Sequence, residues 1–201
     1  MLRIRQFVGT LLVNTSVNRR HGYPRARVFC LLATFLFSLL QPNAFARKAP
    51  EYQLKASFLI NFLDFTKWPN SKHGDKTICI LGRNPFKNYL QELASSTRHD
   101  QKIIIKHAAI INDTYDCHIL FISRSETNHL KQILQNLSSR PLLTVSDINR
   151  FAASSGMIEL SNKSRKTKLI INLNAVSSAG IKLNSNLIDL AQVVGEQKKA
   201  G

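Results

Sequence analysis

In "DTYDCHIL" an acid, a thiol and an imidazole stand side by side as Asp116, Cys117 and His118. Such a trio is the raw material for a thiolate nucleophile and its base. The surrounding pattern argues against that use. "HILFIS" reads as a strand, and neighbours along a strand point to opposite faces, so His118 aims away from Cys117. Cys79 and Cys117 are the cysteines that remain once an N-terminal leader, argued below, is removed. Outside the cytosol an even count favours a bridge, and a bridged sulfur is no nucleophile. Cys79 is mid-strand in "TICILG", so a crosslink to Cys117 is feasible where the Cα atoms come within about 7 Å. Two buried reduced thiols are the alternative.

Other chemistry is hard to find. The chain has no G-x-S-x-G, no G-x-G-x-x-G, no phosphate-binding P-loop and no H-E-x-x-H, the patterns that would supply a nucleophile, a phosphate cradle or a zinc site. His73, His99, His107, His118 and His129 lie apart, and no two share the spacing of ligands on one helical face. The expectation is a protein without catalysis, metal or cofactor. Two arginines offer a binding chemistry instead. Arg83 follows the first strand and Arg124 the third. In a parallel sheet the strand C-termini share one edge, where ligands of such folds sit, and the pair could meet an anion there. Solvated turn arginines are the plainer reading.

The elements that position these residues follow from periodicity. In "EYQLKASFLINFLDFTKW" (Glu51–Trp68), Leu54, Phe58, Phe62 and Phe65 recur at helical spacing, with Tyr52, Ala56, Leu59 and Leu63 as a second apolar flank, and Pro69 is read as the stop. "TICILG" (Thr77–Gly82) has the profile of a buried strand. Asn84-Pro85 reads as a cap and first position of a helix from about Pro85 to Ser95. "KIIIKHA" (Lys102–Ala108) and "HILFIS" (His118–Ser123) are the next strands. Ser125 is placed to cap a helix to about Leu137, with Leu130, Ile133, Leu134 and Leu137 on one face. "LLTVSD" (Leu142–Asp147) follows, with Asp147 capping a helical turn through Ala153. This alternation predicts a single α/β domain with a mostly parallel sheet flanked by helices. "GMIELS" and "TKLIINL" predict an antiparallel pair near the C-terminus. Asn184 or Ser185 then caps a last helix with Leu187, Leu190, Ala191 and Val194 as its stripe.

The leader decides the compartment. Val28–Leu40 is an apolar-leaning run of 13 residues, short of the roughly 20 needed to span a bilayer. It suits the core of a signal peptide, with arginines ahead of it and Ala44-Phe45-Ala46 behind. The pattern predicts Sec-type export to the periplasm, cleavage of residues 1–46, a mature domain over residues 47–201 and no transmembrane segment in the mature chain. Residues 1–46 hold six of the 28 Lys+Arg and no acid, leaving 22 basic against 12 acidic residues, a net charge of +10. The densest basic cluster, "NKSRKTK" (Asn162–Lys168), has no aromatic for base stacking, and export removes DNA as a partner. The basicity reads as a solvated surface, with no nucleic-acid role.

Read together, "EYQLKASFLINFLDFTKWP", "ICILGRNPF", "CHILFIS", "LLTVSD", "GMIEL" and "INLNAVSSAGIKLNSNLIDLA" resemble, in order and spacing, the YfiR family of exported regulators. The resemblance spans about Glu51 to Val194. It implies a periplasmic α/β protein without established catalysis, a homodimer, and a disulfide matching Cys79 and Cys117. It also implies a partner: the namesake restrains an inner-membrane diguanylate cyclase by binding its periplasmic part, which lowers cyclic-di-GMP. The namesake's second disulfide lies near the segment matching "SDINRFAASSGMIEL", where this chain has no cysteine, so redox control through that bridge is not implied. No contact residues transfer. Two functions are therefore expected in competition. One is a non-enzymatic signalling subunit for a membrane cyclase or sensor kinase. The other is a small-ligand-binding module using Arg83 and Arg124.

Overall fold

A computed structural model describes residues 48–69, 74–97, 101–162 and 167–195. The expected leader, the expected cleavage site and residues 163–166 of the basic cluster lie outside the described residues. In chain order the elements are α1 (Lys48–Phe65), β1 (Thr66–Lys67), β2 (Lys76–Leu81), α2 (Tyr89–Ser96), β3 (Ile103–Ala108), β4 (Ile119–Ile122), α3 (Leu130–Leu137) and β5 (Leu143–Ser146). They continue with β6 (Ile158–Ser161), β7 (Lys168–Asn172), α4 (Leu173–Ser178), β8 (Lys182–Leu183), α5 (Ser185–Asp189) and β9 (Gln192–Val194). Short 3₁₀ turns precede β4, α3 and β6, at Ile111–Thr114, Arg124–His129 and Ala152–Ser154.

Seven strands form one sheet in the order β3-β2-β4-β5-β6-β7-β9. Every pairing from β3 to β6 is parallel. β6 and β7 pair antiparallel, Ile158 opposite Ile171, as the sequence predicts. The fold is α/β, mostly parallel, with an antiparallel pair toward the C-terminus. Alternation along the strands separates two cores. Ile78 and Ile80 of β2, with Ile119 and Phe121 of β4, join α1, α2, α4 and α5 on one face. Cys79, Leu81, Leu120 and Ile122 join Leu130, Ile133 and Leu137 of α3 on the other. Burial on both faces explains why these strands read as continuous apolar runs. Among the described residues no helix is long and apolar enough to cross a membrane.

Several boundaries differ from the sequence reading. α1 ends at Phe65, before Pro69, because Thr66 and Lys67 turn into β1 and pair with Leu183 and Lys182 of β8. Its buried side is Ala56, Leu59, Ile60, Phe62 and Leu63; Leu54 of the expected stripe is 47% exposed, and Phe58 and Phe65 are half-buried. α2 starts at Tyr89, not Pro85. Asn84 caps only a turn, its Oδ1 accepting from Phe86 N at 2.9 Å, and Lys87 sits at φ 54°, a left-handed conformation through which an α-helix does not run. Ser125 does not cap a continuous helix either; the chain winds as 3₁₀ to His129 and becomes α-helical at Leu130. Asn184 does cap α5, accepting from Asn186 N at 2.9 Å. The helix stops at Asp189, however, leaving Leu190 81% exposed. Gln192–Val194 instead run as β9 beside β7.

Candidate functional site

β2 lies between β3 and β4, so the chain leaves β2 to one side and returns on the other. This reversal opens a crevice at the strand C-termini, where open α/β sheets bind ligands. The loops after β2 and β4 meet there. Gly82, at φ 84°, carries the chain out of β2, and a side chain at that position would run into Ser125 and Glu126. That close approach is what glycine permits. Arg83 N donates to Ser125 Oγ at 2.9 Å, Ser123 N to Leu81 O at 3.0 Å, and His107 Nε2 to Gly82 O at 2.8 Å. Ser125 thus spends its hydroxyl fastening two loops together instead of capping a helix.

The crevice has a volume of about 900 Å³. Glu51, Tyr52 and Gln53 of α1 form one wall, Arg83 through Tyr89 with Glu92 a second, and Ser123–Ser125 a third. Both arginines expected from the sequence line it. Aromatic edges carry α1 onto the sheet beside it. Tyr52 meets Phe86 edge-on at 5.7 Å, and Phe86 meets Phe121 of β4 at 4.8 Å.

Behind the α1 wall lies a buried ionic cluster that the sequence reading did not anticipate. Lys55 is 0% exposed. Its ammonium pairs with Asp147 Oδ2 at 2.6 Å and with Glu51, one helical turn earlier. Asp147, 3% exposed, does not cap the turn after β5. Its Oδ2 also accepts from Tyr52 OH at 3.0 Å and pairs with Arg124 Nε at 3.2 Å, and Arg124 Nε donates as well to Asp147 O at 3.2 Å. Oδ1 has no hydrogen-bond partner among the described residues. Burial, then the Asp147 carboxylate, pushes the Tyr52 hydroxyl well above its ordinary range, so Tyr52 stays a proton donor. The sequence held one signal for this cluster, the Glu51–Lys55 spacing of four within an otherwise apolar helix. Nothing local pointed to Asp147 as its third member.

Cys79 and Cys117 are joined in a disulfide with Cα atoms 5.9 Å apart. The bridge ties β2 to the residue that leads into β4, inside the α3-side core. Thr114 holds the same approach, accepting from Arg140 Nη1 at 3.1 Å and, through its carbonyl, from Nη2 at 2.9 Å. His118 turns to the other face. Its Nδ1 accepts from Thr77 N at 3.2 Å, its ring lies edge-on to Trp68 at 5.4 Å, and its carbonyl accepts from Trp68 Nε1 at 3.1 Å. Burial first, and the charge of Lys76 second, hold the His118 pKa below 6.5. Asp116, Cys117 and His118 are therefore consecutive without forming a catalytic group. Among the described residues no three His, Cys, Asp or Glu side chains are grouped to hold a metal.

Comparison with known families places the chain. The YfiR/HmsC-like family matches residues 52–192, most of the chain and nearly all of the described domain. The chain belongs to the YfiR/HmsC-like family. The matched span runs from within α1 to the start of β9, so it takes in both cysteines and, Glu51 apart, the crevice lining and the buried ionic cluster.

Proposed function

We propose that this protein is an exported, non-enzymatic regulatory subunit that acts in the periplasm. In this reading residues 1–46 are removed on export, and the domain from residue 47 works as a homodimer. It binds the periplasmic part of an inner-membrane signalling protein, a diguanylate cyclase or, in the second place, a sensor kinase, and restrains cyclic-di-GMP signalling. The observation that carries the reading is family membership over residues 52–192. A disulfide between Cys79 and Cys117 supports it, because such bridges persist in oxidising compartments. The leader pattern of Val28–Ala46 supports it from the sequence.

The test is capture from living cells. A C-terminally tagged full chain, crosslinked in intact cells and purified from the membrane fraction, is expected to bring down a membrane protein carrying a cytoplasmic cyclase or kinase domain. Recovery of soluble periplasmic enzymes alone would contradict the proposal.

A further inference from the structure

Three positive groups face the crevice from the strand-end loops: Arg83, Lys87 and Arg124. The acids near them are mostly committed. Asp147 is taken by Lys55, Tyr52 and Arg124, and Glu51 by Lys55. Glu92 is the lining acid with no ion pair among the described residues. Arg124 is held at one end only. Its Nε is fixed by the carboxylate and the backbone carbonyl of Asp147, and its two terminal nitrogens have no protein partner among the described residues. The Arg83 side chain also has none, although its backbone is pinned to Ser125. An arginine oriented at Nε with its fork open is a receptor for a carboxylate or phosphate oxygen pair, set before the ligand arrives.

The rest of the crevice suits the body of such a ligand. Tyr52, Pro85 and Tyr89 give apolar and aromatic wall, and a volume of about 900 Å³ lies within the range of small-molecule sites. Tyr52 cannot swing away, because its hydroxyl is bonded to a buried carboxylate and its ring rests on Phe86. We propose that this crevice binds a small organic anion, with the carboxylate or phosphate at Arg83 and Arg124 and a flat apolar body against Tyr52 and Tyr89. The proposal goes beyond the regulatory reading and does not depend on which membrane protein is the partner. On a regulatory subunit such a site is where a soluble signal would enter. The ligand would touch α1 and the β2 and β4 loops together, so its occupancy would be felt by three elements at once.

Titration calorimetry and thermal unfolding of the purified protein test the proposal with four probes: benzoate, phenyl phosphate, inorganic phosphate and benzylamine. Saturable binding of benzoate or phenyl phosphate is expected, and the stronger of the two identifies the head group. Inorganic phosphate, lacking the body, is expected to bind at least about tenfold more weakly than phenyl phosphate, and benzylamine, with the wrong charge, not at all. Arg83→Gln removes an exposed side chain with no hydrogen-bond or ion-pair partner among the described residues. It is expected to leave the unliganded Tm unchanged and to weaken binding at least about tenfold. Arg124→Lys, which keeps the charge and loses the fork, should weaken it as well. No saturable binding of either aromatic anion, binding of benzylamine equal to theirs, or binding indifferent to Arg83→Gln would each overturn the proposal.

Discussion

A lysine with no exposed surface must find its counter-charges inside the protein, and Lys55 finds two, in Glu51 and Asp147. Asp147 in turn depends on Lys55, Tyr52 and Arg124 for a single oxygen. Removing one member of a buried pair strands the other, typically at about 3–5 kcal/mol. Lys55→Met is therefore expected to lower unfolding stability by about 3 kcal/mol in urea titration, at the low end because Arg124 still pairs with Asp147. Lys55→Met combined with Asp147→Leu should recover part of that loss, since no buried charge is then left alone. A single-mutant loss within about 0.5 kcal/mol would show that the pair is not closed in solution. His118 gives a prediction of a different kind. Its pKa is held below the ordinary 6.5 by burial and by Lys76, so the folded chain takes up a proton less readily than the unfolded chain. Stability from this residue is complete above 6.5 and falls as pH drops through the window beneath it. Protonation would also end the hydrogen bond that Nδ1 accepts from Thr77 N. Urea midpoints measured downward from neutral pH should fall in this window, and the fall should be shallower in His118→Gln.

At the scale of elements, apolar strands bounded by turns were legible within a residue or so: β2, β3, β4, β5 and the β6–β7 pair all stand where their patterns place them. Helix starts and stops were less legible, because tertiary partners outbid local signals. Asn84-Pro85 looks like a helix start until Lys87 takes a left-handed conformation. Ser125 looks like a cap until the backbone of Arg83 claims its hydroxyl. The stripe from Leu187 to Val194 looks helical, but β7 presents an open edge and a three-residue strand covers it. The candidate site divides in the same way. Arg83 and Arg124 could be found from the rule that strand C-termini meet. Lys55 and Asp147 are 92 residues apart, and only the packing of α1 over the β5 end joins them. The disulfide is the element-scale staple. It closes a separation of 38 residues, worth about 4 kcal/mol on the chain-entropy model and less where the native state is strained. Non-reducing mass spectrometry of the protein isolated from its own cells without reductant should find Cys79 linked to Cys117. Cys79→Ala/Cys117→Ala should unfold at lower urea, by roughly 2–4 kcal/mol. Two free thiols in that protein would contradict the bridge.

For the whole molecule, the sheet sorts its contents by end. The Trp68–His118 contacts gather where β2 and β4 begin, and the arginine-lined crevice lies where they finish. The disulfide locks β2 to the approach of β4 between them. Such a scaffold holds the crevice and the approach to β4 in fixed relation. The central claim of the proposed function is that the protein restrains cyclic-di-GMP signalling from the periplasmic side, and cellular cyclic-di-GMP measured in a strain lacking the protein tests it most directly. The account predicts that the level rises on deletion, returns on expression of the full chain, and fails to return when residues 1–46 are omitted. A level unchanged by deletion, or restored equally by the version without the leader, would contradict it.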